Sequence, residues 1–174
     1  RLAQLGVVAG RNGKFYPDNH VRHADGIIMI ANSMIVKQQS ALIINDFYHL
    51  NTINDVTYFA TYAPHLEYLL EHEIGTSLLH TTQSGSNFLP DAVLTKWEAY
   101  TLVAEAAGIK ILNLGAWTTT EPITRWELAN LLVEAFDFSD NNPLPDFITA
   151  TDNQPSEENK SLLVSIIKDV VDKL

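Results

Sequence analysis

A short stretch recurs three times in this chain, and that recurrence constrains the fold more than any other feature. One copy reads Glu121-Pro122-Ile123-Thr124-Arg125-Trp126-Glu127 and runs into an apolar segment over 128–136. An earlier copy reads Pro90-Asp91-Ala92-Val93-Leu94-Thr95-Lys96-Trp97-Glu98, followed by an apolar segment over 99–107. The first reads Phe15-Tyr16-Pro17-Asp18-Asn19-His20-Val21-Arg22-His23-Ala24-Asp25, followed by 26–35. Each has an extended approach, a helix start, an acidic residue in the first turn and an apolar helix. Repetition has to be recognised before any fold is assigned.

The unit has a physical logic of its own. Thr95 with Glu98, and Thr124 with Glu127, have the T-x-x-E spacing of a capping box. The Thr hydroxyl accepts from the third helical N–H, and the Glu reaches back to the N–H of the cap. The carboxylate also sits at the positive end of the helix dipole. Ile123 can staple onto Leu128, whereas Leu94 meets only the small Ala99. Pro122 keeps its approach extended. In the first copy Arg22 replaces the capping Thr while Asp25 keeps the acidic place, so this helix start is expected to be the weakest. A lost Ser or Thr cap costs about 1 kcal/mol.

Gly6-Val7-Val8-Ala9-Gly10, Gly13-Lys14-Phe15-Tyr16-Pro17-Asp18 and Val21-Arg22-His23-Ala24-Asp25 together resemble the second half of an S-layer homology (SLH) repeat. That family's repeat ends in Gly-x-Phe-x-Pro and then an (Ile/Val)-Thr-Arg-Ala-Glu helix start. Ile123 to Glu127 and Leu94 to Glu98 are similar to the same signature. Tyr62-Ala63-Pro64-His65-Leu66-Glu67-Tyr68-Leu69-Leu70 looks like the family's first helix, with Ile74-Gly75 as its end. The resemblance touches about two thirds of the chain. It implies a mostly α fold, with SLH-like repeats forming a pseudo-threefold helical bundle with long loops. The whole chain would be a single domain, with repeat-like segments at roughly 1–36, 58–108 and 117–174.

The resemblance also implies a function. SLH domains are non-catalytic anchors that hold a protein on the bacterial cell wall or S-layer, outside the cell. Their grooves bind secondary cell-wall polysaccharide, often bearing acidic pyruvyl groups, or peptidoglycan-linked glycan. The family's basic residue falls on His23, Lys96 and Arg125. A cation at a helix start can meet a carboxylate together with free backbone N–H groups. Lys96 and Arg125 are either that site or ordinary solvated charges. For His23 the structural role is favoured, because a neutral imidazole holds an anion poorly. Trp97 and Trp126 occupy a place where the family has a small residue, and their indole faces either stack on sugar rings or pack between repeats. Trp117 belongs to the same groove or to the core.

The departures from the family pattern are specific. Lys96 stands for Arg in the second motif. The first has lost Thr and Arg, and the third lacks the Phe-x-Pro-Asp lead-in. The motifs are also unevenly spaced. A fold that outlives some of its sugar sites leaves a second function open, a protein–protein or self-assembly module within an envelope structure.

Composition narrows the classes. At 174 residues, 46% of them apolar, the chain can bury a real core. A net charge of -10 opposes nucleic-acid binding and simple attraction to an anionic membrane. There is no cysteine, which excludes disulfides, thiolate catalysis and cysteine-rich zinc sites. No apolar run is long enough to span a bilayer, and the chain opens at Arg1 without a signal peptide, so it reads as mature, cytosolic or a fragment. The six histidines form no metal motif. Asp137, Ser139 and Asn141 alternate like the start of a calcium loop, but its glycine and closing glutamate are missing. There is neither a Gly-rich phosphate loop nor a G-x-S-x-G motif. No cofactor or metal is expected, and the chain is expected not to be an enzyme.

Spacing places the elements. Leu2, Leu5 and Val8 suggest the tail of a helix followed by a turn over 1–10, and Ile27, Ile30, Ala31, Met34 and Ile35 give residues 22–36 the spacing of a full helix. Residues 41–50 read equally as helix or strand. Pro64 opens a helix burying Leu66, Leu69 and Leu70, with Gly75 as its stop. Residues 76–87 read as a loop. Ala99, Leu102, Val103 and Ala106 line the next helix, with Gly108 at its C′ position. Leu128, Leu131, Leu132, Ala135 and Phe136 line the one after. Residues 137–155 read as a connector before a final helix from Ser156. That helix could supply the one missing from the third repeat or stand in for the one cut short at Arg1.

Overall fold

The computed structural model describes residues 1–10, 14–109 and 120–138. The final helix and the connector beyond 138 lie outside the described residues, as does Trp117. Within the described residues the chain forms four α-helices: α1 (His23–Gln38), α2 (Ala63–Glu71), α3 (Lys96–Ala106) and α4 (Arg125–Ala135). Two 3₁₀ turns, Leu50–Thr52 and Thr76–Leu78, and one antiparallel hairpin, β1 (His80–Thr82) with β2 (Gly85–Asn87), complete them.

The three repeated approaches meet at one place. Val21 N–H donates to Ile123 O at 3.0 Å, Ile123 N–H to Leu94 O at 3.0 Å, and Leu94 N–H to Val21 O at 2.8 Å. The bonds run head to tail and close a cycle. A second cycle lies two residues on, where His23 N–H donates to Ala92 O, Lys96 N–H to Glu121 O and Arg125 N–H to Asn19 O, all at 2.8–2.9 Å. Antiparallel bridges repeat the order, pairing His20 with Thr124, Arg22 with Val93 and Thr95 with Pro122. The side chains of Val21, Leu94 and Ile123 are fully buried. Each extended approach thus satisfies its backbone on the next approach, the condition for burying it at all.

The helices leave this hub with their apolar faces inward. Ile27, Ile30, Ala31 and Met34 of α1 are buried, as are Leu66, Leu69 and Leu70 of α2. Ala99, Leu102 and Val103 of α3, and Leu128, Leu131 and Leu132 of α4, complete the core. Helix α1 touches all three of the others, and α3 packs on α4. Close approach at the hub demands a small residue at Gly26, since a Cβ there would lie 2.7 Å from Leu94 Cδ2. Both capping boxes form: Glu98 N–H and Glu127 N–H each donate to their Thr Oγ1 at 3.2 Å, and each Glu accepts from the cap N–H at 2.8 Å. Arg22 makes no side-chain cap.

Residues 1–10 hold one helix-like turn, Leu5 N–H to Arg1 O at 3.0 Å, closed at the left-handed Gly6 by Val7 N–H to Leu2 O at 2.9 Å. Three expectations change. The ambiguous stretch 41–50 is neither helix nor strand up to the 3₁₀ turn at Leu50. The polar segment 76–87 holds a 3₁₀ turn and the hairpin, and the N–H of Asn54 bonds Ser86 O, which gives β2 a second neighbour. Gly75 does not end α2. The left-handed residue there is Glu73 (φ 61), with Ile74 N–H to Leu69 O and Glu73 N–H to Leu70 O. This is the Schellman pattern. It recurs at Gln39, Gly108 and Asp137, of which only Gly108 is a glycine.

Two predictions follow from this packing. Leu94→Ala should cost about 3 kcal/mol by urea unfolding, as for a fully buried leucine, whereas Val93→Ala, half exposed, should cost under about 0.5 kcal/mol. A left-handed non-glycine costs about 1 kcal/mol. Glu73→Gly should therefore raise the unfolding midpoint, and a lower midpoint would contradict the assigned cap.

Candidate functional site

Each motif helix begins with a basic residue: His23, Lys96 and Arg125 are the first helical positions of α1, α3 and α4. A cation there opposes the helix dipole, so something else must hold it. The cycle of approaches supplies that partner, because it sets the start of one motif helix beside the acidic residue of the next.

The first pairing is His23 with Glu98. The imidazole is almost fully buried. Its Nδ1 lies 3.0 Å from Phe88 O, and its Nε2 lies 3.7 Å from Glu98 Oε2. A carbonyl only accepts, so Nδ1 carries a proton. A neutral ring would then aim the Nε2 lone pair at a carboxylate. Burial alone pulls the imidazole pKa down, but the Glu98 carboxylate and the Phe88 carbonyl outweigh it and leave the pKa raised. Burial pushes Glu98 up, but His23 and the Thr95 N–H and hydroxyl outweigh it and hold the carboxyl at about 2.

The second pairing is Lys96 with Glu127. Lys96 Nζ lies 2.8 Å from Glu127 Oε1 and 2.9 Å from Glu121 Oε1. Burial lowers the ammonium's pKa, but the two carboxylates more than compensate and raise it. Glu127 is lowered in turn: burial opposes this, and Lys96 and the Thr124 donors prevail.

The third pairing is different. Asp25, one methylene shorter than Glu, stands where Glu98 and Glu127 stand in the other copies. Arg125 instead donates through Nε to Phe15 O at 3.0 Å and through Nη2 to Ala9 O at 2.9 Å. Its guanidinium carbon lies 5.2 Å from the centroid of the Phe15 ring, a cation–π distance. A guanidinium has five N–H groups, and those two bonds use two. Arg125 and Asp25 line one open pocket together with Val7, Ala9, Ile28 and Met29.

The sequence-selected residues therefore separate. His23 and Lys96 are held by carboxylates, while Arg125 faces an open pocket. Trp97 and Trp126 are half-buried beside the second and third of these residues, and Trp126 N–H donates to Pro17 O at 3.0 Å. Trp117 lies outside the described residues. Sequence reasoning identified the acidic residues as caps but missed their second task of receiving the neighbouring motif's cation. It also passed over Glu121, whose only signal was its place before the third motif. Among the described residues no group of His, Asp and Glu is arranged to hold a metal ion, and no helix is long and apolar enough to cross a membrane. Comparison of the chain with family models, with curated proteins and with solved structures gives no match.

The buried pair sets a pH dependence whose sign can be worked out. The raised pKa of His23 contributes stability that is complete below its ordinary value of 6.5 and is lost as pH rises through the folded value. The depressed pKa of Glu98 contributes stability complete above 4.5 and lost as pH falls toward about 2. Both contributions are full between pH 4.5 and 6.5. Urea unfolding of the parent protein should show its largest excess stability over His23→Gln in that window. An excess that does not change between pH 5.5 and pH 8.5 would contradict the pairing.

Proposed function

We propose that the chain is a non-catalytic, SLH-like anchoring module that holds a protein on a bacterial cell wall by binding an acidic wall polysaccharide. The closed cycle of the three approaches supports this reading, since it is the centre expected of a pseudo-threefold bundle of such repeats. The observation that carries it further is Arg125. Its guanidinium is fixed by two backbone carbonyls and the Phe15 ring, yet keeps N–H donors for a ligand in an open pocket. A fixed fork of donors matches a carboxylate and loses little entropy on binding. Asp25, in the same pocket, accepts from sugar hydroxyls. A sugar carrying both an acid group and hydroxyls satisfies both residues.

On this reading only the groove between the third and first motifs binds. The groove cations His23 and Lys96 are already neutralised by Glu98, Glu121 and Glu127, so an incoming anion would have to displace a carboxylate. Val7, Ile28 and Met29 supply the apolar side of the groove.

Co-sedimentation with purified Gram-positive wall sacculi tests the proposal. The protein should pellet with intact sacculi and remain soluble after acid extraction of the secondary polymer. Arg125→Ala should weaken binding about tenfold or more, the cost of losing a charged hydrogen bond, while its thermal melt shows it folded. Lys96→Ala should bind like the parent. A folded Arg125→Ala protein that pellets as well as the parent would remove this groove, and no pelleting with several wall types would remove the anchoring function.

A further inference from the structure

Away from the three motifs, the segment between α1 and α2 presents aromatic rings to solvent. Phe59 is 96% exposed, Tyr48 73% and Tyr58 45%. Phe47 and Tyr58 stack with centroids 5.3 Å apart and planes inclined by 19°, which ties the Phe47-Tyr48 pair to the Tyr58-Phe59 pair. Tyr48 stands edge-on to His49 at 5.4 Å. Rings left this exposed oppose solubility unless they serve a contact.

The segment is also held rigid from beneath. Glu67 of α2 is completely buried, and its carboxylate accepts from His49 N–H at 2.9 Å, Leu50 N–H at 3.0 Å and His49 Nδ1 at 2.8 Å. Thr52 Oγ1 donates to His49 O at 2.9 Å, and Tyr58 Oη donates to Asn51 Oδ1. A buried carboxylate devoted to fixing a surface loop makes sense when the loop's shape matters. A pre-ordered surface loses less entropy on binding.

Charge selects the partner. Between Lys37 and Lys96 the sequence has no Lys or Arg. The carboxylates of the segment are turned to the backbone: Asp46 accepts from Phe47 N–H, and Asp55 accepts from Phe88 N–H at 2.7 Å and Leu89 N–H at 2.8 Å. What remains is aromatic faces interleaved with the uncharged, exposed Asn51, Thr52 and Thr57. Such a surface offers no cation to an anionic polymer, and its two exposed carboxylates, Asp46 and Asp55, are held by backbone N–H groups, which leaves the aromatic faces as the features that select a ligand. Flat C–H faces lie well on rings, and hydroxyls bond to amides and threonines.

We propose that residues 47–59 form a second binding platform for an uncharged polysaccharide, with Tyr48, Tyr58 and Phe59 as stacking faces. It is independent of the Arg125 groove and differs from it in ligand charge. Native affinity electrophoresis tests it, with gels containing hydroxyethylcellulose, glucomannan, xyloglucan, dextran or mixed-linkage β-glucan, and with carboxymethylcellulose as the charged counterpart. At least one neutral polymer should retard the protein. Tyr48→Ala with Phe59→Ala should weaken that retardation about tenfold or more, as truncation of aromatic anchors does. Both residues are exposed, so the fold should survive. Arg125→Ala should be retarded like the parent, which keeps this result separate from the fate of the wall-anchoring groove.

Equal mobility of parent and a non-binding reference protein in every neutral gel would overturn the proposal, as would unchanged retardation of the double variant. Light scattering supplies the remaining outcome. A mass that rises with protein concentration and falls to the monomer in the double variant would assign the surface to self-association instead.

Discussion

Everything in this molecule hangs on the three backbone hydrogen bonds that pass from Val21 to Ile123, from Ile123 to Leu94 and from Leu94 back to Val21. An extended segment placed in a core has donors and acceptors on both edges, and leaving any unpaired is costly. A sheet solves this with neighbouring strands. Here three single approaches solve it by each serving as the edge for the next. No two of them would suffice, because removing any member orphans a donor on one neighbour and an acceptor on the other. The buried side chains between them, and the small residue demanded at Gly26, follow from how close the three must come.

The same cycle explains the electrostatics. Capping boxes fix where each glutamate stands, and the cycle fixes which cation stands beside it. In this way a local motif, the T-x-x-E start, becomes a connector between helices distant in sequence. The sites differ because the acids and the cations differ. Glu reaches its neighbour's cation in two cases. Asp25 is shorter, and in that copy the Arg125 guanidinium goes to backbone carbonyls and the Phe15 ring instead. Both the acid and the cation differ in the third pairing, and there the guanidinium uses two of its N–H groups on backbone carbonyls.

Much of this was legible in the sequence. The two capping boxes, the buried stripes of all four helices and the C′ role of Gly108 came from spacing alone, since each depends on residues within a few positions of one another. The reading failed where distant residues decide. The hairpin over 80–87 is flanked on one side by Asn54, whose N–H bonds Ser86 O, a distant contact that no local pattern announces. The ends of α1, α2 and α4 carry Gln39, Glu73 and Asp137 in left-handed geometry, where a search for glycine stops at the wrong residue. Of the candidate site, the basic positions were visible, but not that Glu98, Glu127 and Glu121 would occupy two of them. The order of the exposed aromatic segment escaped notice because it comes from Glu67, a charged residue in the middle of an apolar helix face.

The contacts of Arg125 also bear on how the chain assembles. They join residues 110 and 116 positions apart, to Phe15 and Ala9. Contacts of such span are late events in folding, since the entropy of closing the loop is spent before the contact returns anything. During synthesis, Val21 and α1 leave the ribosome long before Ile123 exists. The first approach must therefore wait with its edge unpaired, next to the one motif helix that has no side-chain cap. The hub closes as a clasp when the third motif arrives, so the first motif, although made before the other two, is among the last parts to become rigid.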